Sequence, residues 1–278
     1  MASISSGHTN AMNAKPKRKL DFMKKFTIEL VKRVGKFLLK NFREDYRLLS
    51  LRGVAKEVVT KYDKMSDKMI VKGLSKKFPS YNIITEESGF INKDSDFTWF
   101  VDSLDGSSNF AVGNPFFSVS IALLHLNKPI FGVAYAPFLK ELFIAEEGKG
   151  TLLNEERLHV SRIEKLKESY LLSCEGGEKD NIRISRINAK LHPRVKDLRK
   201  LGSAAIESAW VSCGRVEAYI TTKINPWDVA AGVIFVTEAE GKVTDFNGKP
   251  WKPVKDDFVF SNGKIHDKIL RLIENDRR

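Results

Sequence analysis

From residue 21 to 42 the apolar side chains Phe22, Phe26, Leu30, Val34, Phe37 and Leu38 recur close to every 3.6 residues, the spacing that gathers them on one face of a helix. The pattern resumes from residue 62 to 78 through Met65, Met69, Ile70 and Leu74. Pro79 ends it, because proline has no amide hydrogen to donate and its ring crowds the preceding turn. The period then shortens. Runs suited to strands cover residues 81–85, 98–101, 118–124, 130–135 and 142–145, divided by Gly, Pro, Asn or Asp. Past about residue 160 a strand is expected at 169–173, a charged helix at 181–191 and a helix of small residues at 203–212. A strand at 216–221, a helix at 229–239 and a strand at 242–245 complete the pattern. Helices set against mixed sheets imply a layered α/β or α+β fold, and no internal repeat of fixed period is present.

With 278 residues, 42% of them hydrophobic, the chain can bury a large core in one domain or in two closely packed halves. The divisions expected are a basic mobile tail at 1–20, an N-terminal half at 21–160 and a C-terminal half at 161–278. The longest apolar stretch, 116–126, is interrupted by Ser118, Ser120 and His125, and it falls short of the roughly 18 residues that a membrane span needs. No membrane association is expected. The first 20 residues are rich in Ser, Asn and Lys and lack the apolar core of a secretory signal, which suggests a cytoplasmic protein. Cys174 and Cys213 have no partner at metal-ligand spacing, so they read as buried thiols. The net charge of +12 admits a nucleic-acid or anionic partner. Lys15, Lys17, Arg18 and Lys19 supply four of those charges. The rest are interspersed with acids, as in Lys196, Asp197, Arg199 and Lys200, without the aromatic interleaving of a nucleic-acid module, which favours a solvated basic surface.

Three segments carry chemistry. Residues 99–110 begin as an apolar strand and then deliver Asp102, Asp105, Gly106, Ser107 and Ser108. Two carboxylates at a strand end can converge on a hard cation, and the Leu104 carbonyl between them can add an oxygen. Gly106 permits close backbone approach, and a helix starting at Ser107 would offer free amides to a phosphate oxygen. Residues 83–89 repeat the arrangement, a short apolar strand ending in Glu86, Glu87 and Ser88. Residues 225–232 place Asp228 at the start of a helix followed by small residues. Taken singly, each also reads as ordinary structure: a capped turn, a solvated Glu pair and an N-cap Asp.

Together they resemble the inositol monophosphatase superfamily, which includes inositol monophosphatases, archaeal-type fructose-1,6-bisphosphatases and 3′-phosphoadenosine-5′-phosphate phosphatases. The resemblance rests on Glu-Glu-Ser at 86–88, Asp-x-Leu-Asp-Gly-Ser-x-Asn-Phe at 102–110 and Trp-Asp-x-Ala-Ala-Gly at 227–232, in the family's order. Segments at 201–205 and 214–219 also match, so it extends over roughly residues 22–272. It implies an αβαβα layered sandwich and a Mg²⁺-dependent phosphatase acting on a small sugar or polyol phosphate, with inositol-1-phosphate the first candidate. It further implies that Glu86, Asp102 and the Leu104 carbonyl hold one Mg²⁺ ion and that Asp102, Asp105 and Asp228 hold a second, with Glu86 available to a third. Asp63 and Ser107 would orient and deprotonate the attacking water, the Gly106 and Ser107 amides would hold the phosphate, and Gly202, Ser203 and Ala204 would lie beside the sugar or polyol. A homodimer is implied as well.

Two departures from the family pattern matter, and a third position differs from the animal inositol enzymes. Ser103 replaces the usual Pro, which puts the stiffness of that loop in question. Ser107 replaces the usual Thr and keeps its hydroxyl. Thr221 stands where the animal inositol enzymes carry a carboxylate that accepts inositol hydroxyls, so a weaker substrate contact and a permissive enzyme are expected, with Lys223 and Arg215 in reach of a second phosphate. Fructose-1,6-bisphosphatase or dual-specificity activity is the alternative reading, followed by nucleotide 3′-phosphatase activity and by a catalytically silent binding protein of the same fold. The chemistry suits the residues: hydrolysis of a phosphate monoester spreads negative charge over the phosphoryl group, and crowded carboxylates repel one another until a cation joins them.

Overall fold

The computed structural model describes residues 14–42, 50–52, 57–59, 61–175 and 181–274, and in 14–20, 50–52 and 57–59 the backbone alone. The 28-residue helix α1 (Ala14–Asn41) buries Met23, Leu30, Val31, Val34 and Leu38 along one stripe, while Phe22, counted in that stripe from the sequence, is half exposed. Residues 14–20, expected within the basic tail, are helical, and residues 1–13 lie outside the described residues. Lys, Arg, Ala and Leu extend a helix that is already nucleated by packing, yet they leave no apolar period to read. A two-stranded antiparallel pair follows, β1 (Ser50–Arg52) with β2 (Glu57–Val59). Helix α2 (Lys61–Lys77) buries Ile70 and Leu74, but Met65 is exposed, and Asp63, Ser66 and Asp67 take the inward positions of its first turns.

An eight-stranded sheet comes next, built from β3 (Asn82–Thr85), β4 (Gly89–Ile91), β5 (Phe97–Asp105), β6 (Ser118–His125), β7 (Lys128–Ala136), β8 (Glu141–Glu146), β9 (Gly150–Leu153) and β10 (Glu156–Arg157). The short helix α3 (Ser107–Val112) links β5 to β6. The order across the sheet is β10-β9-β8-β7-β6-β5-β3-β4. The C-terminal part contributes β11 (Tyr170–Glu175), α4 (Asn181–Leu191), β12 (Asp197–Arg199), α5 (Ala204–Ser212), β13 (Ala218–Ile224), α6 (Pro226–Glu238), β14 (Lys242–Asp245), β15 (Asp256–Ser261) and α7 (His266–Leu272). Its five strands run β12-β11-β13-β15-β14.

Alternation along the strands sets the layers. On β5, Trp99 and Val101 face a core shared with α1 and α2, whereas Phe100 faces α5 and α6. On β6, Val119, Ile121 and Leu123 join the first core, and Ala122 and Leu124 join the second. Helix α6 sends Ala230, Ala231, Ile234 and Phe235 to the first sheet and Val229, Val233 and Val236 to the second. Being covered on both sides, it is apolar nearly all round. The far face of the second sheet packs Ala218, Ile220 and Val259 against Ile184, Ile187, Ile269 and Leu270 of α4 and α7. The result is a helix–sheet–helix–sheet–helix sandwich, as the sequence implied. The two cysteines are free and half-buried rather than fully buried, and desolvation raises both thiol pKa values. Among the described residues no helix is long and apolar enough to cross a membrane.

Candidate active site

The site forms where two strands of the first sheet end side by side. β3 and β5 are parallel, with Thr85 opposite Val101, so Glu86, just past the end of β3, stands beside Asp102, which is still paired with Ser120 of β6. Residues three apart on a regular strand face opposite sides, but the pairing of β5 with β6 shifts register between Asp102 and Asp105. Asp102 Oδ1 accepts the Leu104 amide at 3.1 Å. From the other half of the chain, Asp228 arrives in the first turn of α6, where its Oδ2 accepts the Asn225 amide at 3.1 Å. The sequence reading allowed Asp228 as the N-cap, and that place is taken by Asn225.

Glu86, Asp102 and Asp228 each offer an oxygen within 4.8 Å of the others, with Glu86 exposed, Asp102 buried and Asp228 between. Burial pushes the Asp102 carboxyl well above the usual range, and the charges of Asp105, Glu86, Asp228 and Asp63 push it further. Asp228 is raised in the same way, by burial first and then by Glu86 and Asp105, with the Asn225 hydrogen bonds opposing. Two acids that resist ionising, with the Glu86 carboxylate beside them, form a set of oxygen donors that fits a hard divalent cation.

Asp105 stands beside this trio with its carboxylate turned toward α5. It accepts the Ser118 hydroxyl at 3.0 Å, the Ala204 amide at 2.9 Å, the Ala205 amide at 3.1 Å and the Ser203 hydroxyl. Burial raises its pKa, and these donors pull it back. A carboxylate at a helix N-terminus is favoured by the helix dipole. Ser203 and Ala204, implied to lie beside the substrate, are buried here and hold Asp105.

Asp63 is buried in the first turn of α2 and accepts the Ser103 hydroxyl at its carbonyl, 3.1 Å away. Ser103 therefore ties its loop to α2 where loss of Pro had suggested slack. Ser107 opens α3, preceded by Gly106 at φ +82, where a Cβ would stand 2.7 Å from the Phe116 carbonyl oxygen, so only glycine fits. Leu104 is buried between the two aspartates. Gly202, also left-handed at φ +80, lies against Asn109.

Two residues here had no assigned role in the sequence. Asn109 donates to the Phe116 carbonyl at 2.7 Å and to the Leu201 carbonyl at 2.8 Å, joining α3 to the loop before α5. The only signal was its place in the 102–110 motif. Glu207, fully buried on α5, accepts the Leu201 amide at 2.8 Å, and burial pushes its pKa up to about 8. Its signal was an acid inside a helix of small residues.

Three residues expected near the substrate are placed as follows. Thr221 is fully buried on β13, which runs between β11 and β15. Arg215 follows the C-terminal end of α5, opposite the end that meets Asp105, and it pairs with Glu141 at 2.7 Å under the Trp210 ring. Lys223 sits at the site end of β13 with left-handed φ +50 and its Nζ 3.7 Å from Asp256.

Residues 19–278 match the profile of the inositol monophosphatase family. A Thermotoga maritima protein named fructose-1,6-bisphosphatase/inositol-1-monophosphatase is 38% identical over 249 residues, covering 89% of this chain and 94% of that one. A Dictyostelium discoideum inositol monophosphatase is 36% identical over 261 residues, covering 91% and 96%. The solved structure of the extragenic suppressor protein suhB from Bartonella henselae superposes with a TM-score of 0.86 at 32% identity, covering 91% of this chain and 98% of that one.

Proposed function

Because the chain belongs to the inositol monophosphatase family and is a phosphoric monoester hydrolase, we propose that it removes phosphate from a small sugar or polyol phosphate with Mg²⁺ held at Glu86, Asp102 and Asp228. The observation that carries this is the meeting of three carboxylates from distant parts of the chain within 4.8 Å. Mg²⁺ bound there neutralises phosphoryl charge and makes water a better nucleophile. Asp105 and the Leu104 carbonyl extend the oxygen set toward further ions, to a total of two or three.

The remaining roles fall to the chain itself. Asp63 and Ser107 orient the attacking water and take its proton, and the Gly106 and Ser107 amides hold the phosphate oxygens. The alcohol lies against the loop of Gly202, Ser203 and Ala204, whose shape Asn109 and Glu207 support. The burial of Thr221 supports a permissive site, since position 221 offers the alcohol no charged acceptor. The reading includes a homodimer in the cytoplasm.

A turnover screen of inositol-1-phosphate, fructose-1,6-bisphosphate and 3′-phosphoadenosine-5′-phosphate tests it. Both of the first two are hydrolysed in Mg²⁺, with kcat/KM values within about a hundred-fold, the worth of one missing charged hydrogen bond. Equal rates in excess chelator overturn the metal assignment. A preference for inositol-1-phosphate far beyond a hundred-fold overturns the permissive site.

A further inference from the structure

Asp63, Ser66 and Asp67 are spaced i, i+3 and i+4 on α2, so they share one face of the helix. All three are buried although none is apolar, at 5%, 0% and 2% exposure. Burying such groups is unfavourable unless each finds a partner. The partners belong to two different loops. Ser103 donates to the Asp63 carbonyl at 3.1 Å and lies 3.4 Å from the Ser66 hydroxyl, which fastens α2 to the bulge between Asp102 and Asp105. One turn further along, Asp67 Oδ2 accepts the hydroxyl of Ser88, in the turn that begins with Glu86. The Ser88 amide donates to Thr85 Oγ1 at 2.8 Å, closing that turn on the end of β3. Asp67 is not one of the three converging carboxylates.

We propose that Asp67 is a positioning residue for Glu86, fixing the turn at 86–88 through Ser88 so that the Glu86 carboxylate is held at a set separation from Asp102. The proposal rests on the reading of Glu86 as a cation ligand. Glu86 is the exposed member of the trio, on a long side chain, and has the most freedom to lose when a cation binds. A hydrogen bond that orders its turn beforehand spares the cation that work. The Asp63 carbonyl and Ser66 hydroxyl on one side, and the Asp67 carboxylate on the other, thus divide one helix face between the 102–105 bulge and the 86–88 turn.

The test is calorimetric titration of Mg²⁺ into the wild type, Ser88→Ala, Asp67→Ala, Asp67→Asn and the Asp67→Ala/Ser88→Ala double variant, with melting temperatures in chelator alongside. Ser88→Ala and Asp67→Ala are each expected to weaken Mg²⁺ binding roughly 10- to 100-fold, the usual effect of losing a group that orients a metal ligand. The double variant should be no weaker than the worse single, and Asp67→Asn, which keeps an oxygen acceptor, should recover most of the affinity. Ser88 is exposed, so Ser88→Ala keeps its fold and decides the matter even if Asp67→Ala does not fold. Unchanged Mg²⁺ affinity in Ser88→Ala overturns the proposal and leaves Asp67 a purely structural acid. A wild-type protein that takes up no Mg²⁺ overturns the metal reading instead.

Discussion

Gly232 lies one turn beyond Asp228 on α6, and replacing it with alanine sets two effects of opposite sign against each other. In an isolated helix the change would stabilise by about 1 kcal/mol. Here a Cβ at position 232 would stand 2.5 Å from the Ser208 Cβ and closer still to its hydroxyl, where ordinary contact begins at 3.4 Å. Ser208 has nowhere to go: it is fully buried, and its hydroxyl donates to the Ala204 carbonyl at 2.8 Å. The two helices must therefore part by about 0.9 Å, and each is gripped by a sheet on its other side. Overpacking of this kind costs about 1–3 kcal/mol, and the absence of any yielding neighbour puts it at the upper end. Subtracting the helix gain leaves a net loss of about 2 kcal/mol, or roughly 4–8 °C in melting temperature for a chain of this size. Scanning calorimetry in chelator measures it, and Mg²⁺ titration should show weaker binding because Asp228 rides on the displaced helix. Gly73→Ala on α2 is the control, since a Cβ there meets the Leu30 Cδ atoms at 3.2 Å, the far end of a flexible side chain, and Phe26 Cζ at an ordinary 3.7 Å, and it should be neutral or stabilising. A Gly232→Ala protein that melts at or above the wild type would refute the close approach of α5 and α6.

His266 is fully buried between Thr244 Oγ1, 2.8 Å from Nε2, and Ser261 Oγ, 2.7 Å from Nδ1, and burial lowers its pKa from 6.5 to about 4. A folded value below the unfolded one means that protonation favours the unfolded chain, so this contribution is complete above pH 6.5 and is lost as pH falls toward 4, about 3 kcal/mol in all. His266→Asn should flatten the fall in melting temperature over that window, and an identical pH slope would count against the assignment. The Arg183–Asp257 pair, 2.7 Å apart with both side chains nearly buried, leaves a lone buried carboxylate in Arg183→Met. Urea denaturation should show a loss of about 3–5 kcal/mol, partly restored in Arg183→Met/Asp257→Asn, whose amide oxygen still accepts the Lys223 amide.

The sequence announced most of the elements whose burial is one-sided or complete, although β15, buried along most of its length, went unread. α4 and β14 fall on the expected residues, and β5 to β8 were located because apolar runs between turn residues leave few alternatives. β4, β10 and β12 went unread: they are two or three residues long, largely exposed, and owe their pairing to a neighbouring strand. α7 is only seven residues long, and its packing partners Ile184 and Ile187 are far away in the sequence. The carboxylates were legible because each stands just past an apolar run or at the start of a helix of small residues, in motifs whose order along the chain could be read. The orientation of Asp105 was not, since nothing in residues 102–110 says that the start of α5 will stand opposite. The same limit applies to Thr221, which shares with Tyr219 the face of β13 that α5 and α6 cover.

The middle pair of helices has a consequence for how the protein is made. Phe100, Ala122, Leu124, Ala134, Phe143 and Ala145 on the first sheet are covered by Ala205, Ala209, Ala230, Ala231, Ile234 and Phe235. The sheet is complete at Arg157, yet the cover of this face ends with Glu238, about 80 residues later. At roughly 5–20 residues per second of synthesis, a finished apolar sheet face waits on the order of 5–20 seconds for its lid. For that interval the nascent chain is a natural client for holding chaperones, and a ribosome stalled before α5 would present an aggregation-prone surface rather than a folded half.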